Sequence, residues 1–446
     1  MLKRLPLLIA VLALAALAGN FIIKNFLAVS LIAYGRQDES SDVAVGYAPA
    51  NAEVLAARAR HLLYRADPPR TEEAIADLQK ATTVSPHDYR YWLELGKAYD
   101  SASQSQQAET SMLRAVELAP RYFEPRWALA NLRLRAGKSE QALDDLRQAV
   151  ALSGTLYARA QQRTDRNVTL NALNAVTGAF GMNLDALRRA TPPDNIAQAY
   201  LAEFFATHDA MEQALELWRR LPPTGADADP ASYRDLVFQL LRELQGKYRF
   251  DEAREVWAKF AAAEGATDVD ANNLMTNAGF ERAPLSERYA ALLDPQAGFD
   301  WIIRRHPEVS LSRGNDSVHS GANALHLVFA ASMGSEFQPA SQLVAVEPSR
   351  QYRLSYFVKT QNISSLPNET PFVEITDAMN PALFSLRSVV PSGTAEWNEQ
   401  TVSFTTPDST RGLRLTVRAP QLKVVNRTRI AELWLDDFTL SQYRER

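Results

Sequence analysis

Four series of residues recur along this chain with a step of 34 positions, and no other feature limits its fold so tightly. Ala74, Ala108 and Ala142 make one series, Leu78, Met112 and Leu146 a second, and Ala81, Ala115 and Ala149 a third. Pro86 and Pro120 follow the same step, with Gly154 in the third place. One such series arises by chance; four in phase mark an internal repeat. The surrounding residues have helical spacing, and their sizes fit a helix–turn–helix unit. Small alanines suit the close approach of two antiparallel helices. The larger residue four positions on fills the gap between successive hairpins. Proline stops the second helix, because it has no N–H with which to continue the ladder.

In the middle unit the first helix carries Trp92, Leu95, Gly96 and Tyr99, and the pattern runs on through Ala108, Ala115 and Pro120. Position by position this resembles the tetratricopeptide repeat. The third unit keeps Leu129 and Ala130 but has Arg133 where that family has an aromatic residue. The first keeps its second helix, with His61 and Leu62 in place of Leu and Gly. Two later hairpins look like degenerate versions. One runs through Leu201, Ala202, Phe205, Ala214, Trp218 and Leu221 to Pro222-Pro223. The other runs through Tyr233, Leu240, Leu241, Tyr248, Ala253, Trp257 and Phe260, with a loop inserted around Gly225–Pro230. Between the groups, helical pieces are expected around Leu156–Arg166 and Leu184–Ala190. The resemblance implies an α-helical solenoid whose groove binds proteins or peptides, and it implies no chemistry. The aromatic residues fall on packing positions and are read as core.

Near Asp268 alanines thin out and a period of two takes over. Tyr352, Leu354, Tyr356 and Val358 alternate with Arg353, Ser355, Phe357 and Lys359. Val402 and Phe404 repeat the habit, as do Leu413, Leu415 and Val417 against Arg414, Thr416 and Arg418. Short strands between turn residues predict an antiparallel sandwich or barrel. The landmarks of this part resemble those of galactose-binding-like jelly rolls, which include several carbohydrate-binding modules. They are the opening run Asn273–Glu281, the turn and strand Ser317–Leu325, the run Val346–Tyr352, Trp397 with Val402-Ser403-Phe404, and Leu433–Phe438. The resemblance covers about residues 272–442.

Two site expectations follow from it. The family often holds a structural calcium near its first and last strands. By position Glu281 and Asp437 are the matching ligands, with Asp436 a rival for the second; solvated or strand-capping carboxylates are the plain alternative. A sugar site needs aromatic faces and nearby polar groups. Trp301, Trp397 and Trp434 are the candidates. Trp434 points away from the side that Leu433 and Leu435 bury, so it is placed on a face with Arg414 and Arg418.

The N-terminus decides where the chain goes. Lys3 and Arg4 precede an apolar run from Leu5 to Gly19 that contains Ala16-Leu17-Ala18, the layout of a secretory signal peptide. The apolar character resumes from Phe21 to Tyr34. Cleavage after Ala18 would leave Phe21, Ile22, Ile23, Phe26 and Leu27 at a free end with nothing to cover them. An uncleaved anchor within residues 5–34 is therefore expected, long enough to cross a bilayer. The basic residues put its start on the cytoplasmic side and the bulk of the chain outside. Both readings export the chain.

The absence of cysteine excludes disulfides, thiolate zinc sites and cysteine nucleophiles. A net charge of -4 without a basic stripe argues against nucleic acid. No phosphate-cradling glycine loop, Gly-x-Ser-x-Gly or His-Glu-x-x-His occurs, and the six histidines are scattered singly. The chain is thus expected not to be an enzyme. Its expected plan is a membrane segment over 1–35, a Ser-, Asp-, Gly- and Pro-bearing linker over 36–51, helical repeats over 52–266 and a jelly roll over 267–446. Such domain content resembles accessory proteins of bacterial exopolysaccharide or cell-envelope assembly: a scaffold that binds envelope proteins in its groove and glycan on its jelly roll. Two rivals stand beside it, an adaptor whose jelly roll has lost sugar binding and, more distantly, a glycoside hydrolase.

Overall fold

In the computed structural model, residues 5–34, 37–153, 164–223, 230–266, 272–289, 298–329, 336–366, 368–420 and 430–443 are described. The chain divides into two compact units, Met1–Phe204 and Phe205–Arg446.

The first unit is helical. It begins with α1 (Leu5–Tyr34), apolar on all sides, and α2 (Gln37–Tyr47). Three hairpins follow: α3 (Ala52–Tyr64) with α4 (Thr71–Val84), α5 (Tyr89–Ser101) with α6 (Ser105–Leu118), and α7 (Phe123–Arg135) with α8 (Ser139–Ser153). Then come α9 (Thr164–Phe180), α10 (Leu184–Ala190) and α11 (Asn195–Thr207), which runs into the second unit. The two alanine series and the Leu78, Met112, Leu146 series are buried at every member. At the α5–α6 crossing, a Cβ on Gly96 would lie 2.6 Å from Met112 Cγ and 3.2 Å from the Ala108 carbonyl oxygen, so only glycine lets the helices meet. Asn51 and Asp88 cap α3 and α5, each accepting a backbone N–H with its side chain.

Two expectations need amendment. The stretch expected as a linker is helical at α2, with Ser40, Ser41 and Ala44 buried and Ala44 and Ala48 packed on Ala28 of α1. Small and hydroxyl residues look like a spacer by composition, yet they are also what lets two helices approach closely. Of the piece expected around Leu156–Arg166, residues 154–163 lie outside the described residues.

The second unit holds α12 (Met211–Arg220), α13 (Pro230–Gly246), α14 (Phe250–Ala263), the single turn α15 (Leu285–Arg288) and ten strands. Residues 224–229 of the expected inserted loop lie outside the described residues. Lys259 of α14 donates to the carbonyls of Trp218, Arg219 and Leu221, each at 3.1 Å, and so caps the end of α12 ahead of Pro222-Pro223.

The strands are β1 (Ile302–Ile303), β2 (Val309–Gly314), β3 (Ala324–Phe329), β4 (Phe337–Ala345), β5 (Gln351–Ile363), β6 (Phe372–Asp377), β7 (Ser385–Val389), β8 (Gly393–Thr405), β9 (Gly412–Ala419) and β10 (Ala431–Gln442). They form two five-stranded antiparallel sheets, β1-β4-β9-β6-β7 and β2-β3-β10-β5-β8. Alternate residues of both sheets, among them Leu327, Tyr356, Ile375, Leu415 and Leu435, meet in one core. This is the jelly-roll sandwich. Helix α14 packs on it: the Phe250 ring sits where a Cβ on Gly412 would be, at 2.7 Å, and Trp257 covers Gly298.

Candidate functional site

The alternation of β5 and β10 leaves a row of aromatic and charged side chains on the outer face of the second sheet. Tyr352, Leu354, Tyr356 and Val358 point into the core, so Phe357 and Lys359 face out. Strand register sets Trp434 between His326 of β3 and Lys359 of β5. The His326 ring lies flat on the indole, with centroids 4.4 Å apart and planes 9° apart, and its Nε2 is 2.8 Å from Glu432 Oε2. Lys359 Nζ stands 5.9 Å from the indole centroid and pairs with Glu396 at 2.9 Å. Trp434 is consequently only 7% exposed, and its buried Nε1–H has no hydrogen-bond partner among the described residues.

Two residues along the strand, Phe357 is covered by the His319 imidazole at 3.5 Å between centroids and 13° between planes. Trp397 of β8, half-buried, meets His319 edge-on at 5.8 Å. Trp397 and Trp434 thus share one strip with two histidines, a lysine and carboxylates.

The other candidates are elsewhere. Trp301 has no exposure: it stacks on Phe280 at 4.8 Å, meets Phe438 edge-on at 5.1 Å and donates Nε1–H to the Asn277 carbonyl at 3.1 Å. A ring closed on all sides presents nothing to a ligand, so Trp301 is core. Alternation failed there because Trp301 lies just before a strand only two residues long. Arg414 and Arg418 are on β9, in the first sheet, not on the face of Trp434. Arg414 lies opposite Leu343 and Thr376. Arg418 donates to Glu374 through Nε at 2.7 Å and to Glu336 at 2.8 Å. The sequence shows that two strands alternate, but not which sheet each joins.

Glu281, Asp436 and Asp437 do converge. A Cβ on Gly279 would lie 3.3 Å from Asp437 Oδ1, 3.4 Å from Asp436 Oδ1 and 3.8 Å from Glu281 Cγ. Their oxygens, however, face N–H and O–H donors of the turn before β3. Ala322 N–H donates to both Glu281 oxygens at 3.0 Å. His319 N–H and Ser320 N–H donate to Asp436 Oδ2 at 2.9 and 3.3 Å. Ser320 Oγ–H donates to Asp437 Oδ1 at 2.8 Å, and His319 Nδ1 is 2.6 Å from Asp437 Oδ2. Burial, reinforced by the charge of Asp437, pushes the Asp436 carboxyl up to about 6.

Calcium takes about six to eight oxygen ligands. Among the described residues no group of three or more His, Asp or Glu is disposed to hold a metal. In this structure the donors of the turn take up these carboxylate oxygens. The cluster is not a nucleophile relay, because Ser320 donates to the carboxylate and not to the imidazole. What it does is clasp three segments together and hold His319 on Phe357. Nothing in the sequence singles out His319; the Ser317–Leu325 run marks only a turn and strand.

Residues 89–122, spanning α5, α6 and the turn after them, match the family model for the tetratricopeptide repeat. That hairpin is a tetratricopeptide repeat. None of the curated proteins matches the sequence. Among solved structures the chain is similar to the enzymatically active domain of bacteriophage CBA120 tailspike protein 4, at 14% identity and TM-score 0.28, over 39% of this chain; it spans 22% of that one. It is similar to MamA protein at 14% identity and TM-score 0.32, over 46% of this chain and 94% of that one. It is also similar to Family 16 Carbohydrate Binding Module-2 at 18% identity and TM-score 0.22, over 29% of this chain and 84% of that one.

On either side of the tetratricopeptide repeat, the departures from its pattern are made good by charge. Arg133, in the aromatic position, donates to Glu109 at 3.0 Å and to Asp145 at 2.6 Å, tying α7 to α6 and α8. Arg58 forms a bidentate pair with buried Asp77 at 2.5 and 2.7 Å. Asp77, Ser111 and Asp145 are a further series in phase with the repeat, as are Arg58, Trp92 and Arg126, a signal present in the sequence itself. The first helices are also cross-linked side by side. Tyr91 donates to Glu53 at 3.1 Å, and Arg135 donates to Asp100 at 2.5 Å.

Proposed function

We propose that this chain is a non-enzymatic scaffold of the cell envelope, anchored in the cytoplasmic membrane by α1 and accessory to the assembly or export of exopolysaccharide or another envelope polysaccharide. Its helical repeats, taken as residues 52–266, hold envelope proteins, and its sandwich, taken as 267–446, binds glycan on the outer face of the second sheet. Lys3 and Arg4 favour a cytoplasmic start, with the folded bulk outside.

The observation that carries the glycan reading is the half-buried Trp397 beside the clasped His319. An indole face packs on the apolar face of a pyranose, while an imidazole oriented by Asp437, with Glu399 on the same outer face opposite Phe357, hydrogen-bonds hydroxyls. The test is calorimetric titration of the full chain in detergent against a panel of bacterial polysaccharides. Saturable binding that disappears in Trp397→Ala supports the reading. Silence across the panel, from folded chain, rejects it.

One observation favours a second reading. The faces of Trp434 and Phe357 are already occupied by His326 and His319. A sandwich whose aromatic faces are closed by its own histidines serves as a protein-only adaptor, and that reading predicts the silent panel.

A further inference from the structure

Helix α1 does two jobs along its length. From Ile9 to Phe26 its large apolar side chains are exposed, Leu17 by 67% and Phe26 by 70%. Beyond that, one side turns into a packing face: Ala28 is fully buried against Ala44, Ala48 and Val54, with Leu31 and Ile32 beside it. Asn51, the cap of α3, donates to Asn25 Oδ1 at 2.9 Å, and Asn25 in turn donates to the Phe21 carbonyl. The last turns of α1 are therefore part of the helical fold.

This packing sets heights. Leu5 to Lys24 is about 20 residues, about 30 Å of helix, the thickness of a hydrocarbon core. The free side of α1 stays apolar past Lys24 through Phe26, Leu27 and Val29. If α1 crosses a bilayer, lipid must reach that level. At the same level on the other side sits the turn between α2 and α3, because Ala48 packs on Ala28 and Asn51 bonds Asn25. The run Val43–Ala52 carries no charged residue, and Tyr47, Pro49 and Ala50 are exposed. An uncharged turn with an exposed tyrosine is what the headgroup region accepts.

We propose that the turn Gly46–Ala50 is a membrane-interface contact: it rests at the headgroup level of the bilayer that α1 spans, with Tyr47 in the interface, so that the first hairpin is seated on lipid and not held on a tether. The proposal rests on the reading of α1 as an anchor. It also makes α1 a retained element, since removing it would uncover Ala44, Ala48 and Val54.

The cysteine-free chain allows a direct test. Single cysteines are placed by Tyr47→Cys, by Gly46→Cys, where an added Cβ meets nothing within 4 Å, and by Tyr64→Cys at the far end of α3. The full-length proteins are labelled with an environment-sensitive fluorophore and reconstituted into phosphatidylcholine–phosphatidylglycerol vesicles bearing shallow nitroxide lipids. Labels at 46 and 47 are expected to be blue-shifted and quenched about twofold or more, and the label at 64 to be unquenched, since α3 carries it about 20 Å away. Equal, weak quenching at all three positions in vesicle-bound chain overturns the seated turn and leaves the anchor standing. Chain that fails to float with the vesicles, or a mature N-terminus beyond Lys24 by mass spectrometry, overturns the anchor itself.

Discussion

Gly321 is the most informative position to perturb, because it is where the clasp closes. Its φ is +66°, a left-handed conformation, and an added Cβ would lie 1.9 Å from Glu281 Oε1. In Gly321→Ala the backbone would hold an L-residue in that region at about 1–2 kcal/mol. The Glu281 carboxylate would also have to leave the N–H groups of Ala322 and Asn323, at 3.0 and 3.4 Å. Because Glu281 is exposed, those bonds are discounted to about 0.5–1.5 kcal/mol. The sum is about 1.5–3.5 kcal/mol, or a fall in Tm of about 3–14 °C for a unit of this size. The assay is thermal unfolding of the full chain in detergent, followed by near-ultraviolet circular dichroism from the sandwich tryptophans. Glu281→Ala is measured alone and combined with Gly321→Ala. Since the clash is with Glu281, the double variant should lose less than the two single losses added together. A loss below about 1 kcal/mol, or strict additivity, would refute the clasp. Excess chelator should leave the wild-type Tm unchanged if the clasp stands on its hydrogen bonds alone; a fall of several degrees would place a structural cation there.

Other outcomes follow from the same geometry. In Gly96→Ala, a methyl group 2.6 Å from Met112 Cγ strains the α5–α6 crossing by about 1–3 kcal/mol, more than the roughly 1 kcal/mol alanine adds to helix propensity, so helical melting should move down. A rise in Tm would show that the helices simply part. The Asp436 carboxyl is raised from 3.8 to about 6 in the fold, so the folded state holds its proton more tightly than the unfolded chain. Its contribution to stability is therefore present below pH about 4, is lost as pH rises to about 6 and is flat above that. Urea midpoints at several pH values should show this slope in wild type and lack it in Asp436→Asn; identical slopes would exclude the assignment. Trp301→Ala should cost about 3–5 kcal/mol as a core truncation. Trp397→Ala should cost under about 1.5 kcal/mol and act on glycan binding instead; a reversed ranking in denaturant melts would overturn the two placements.

Much of this architecture is legible in the sequence because it depends on local periodicity. A step of 34 that places Ala74, Ala108 and Ala142 in phase requires stacked hairpins, whatever surrounds them. The alternation in β5 separates core residues from outer ones without any knowledge of partners. What local pattern cannot carry is which distant segments meet. Arg414 and Trp434 both alternate, but hydrogen-bond register sends one to each sheet. Glu281 and Asp437 are legible as a converging pair; that the turn carrying His319, Ser320 and Ala322 supplies their donors is not, because those bonds close loops of more than forty residues. The Ser40–Ala48 face looked like a spacer for the same reason, since small residues acquire meaning only when α1 lies against them. Periodicity is a property of the chain, and the sequence by itself determined the elements and their inward faces. Contact is a property of the packed molecule, and only the tertiary structure decided which carboxylates are satisfied, which tryptophan is closed in the core and which side of α1 the first hairpin packs on.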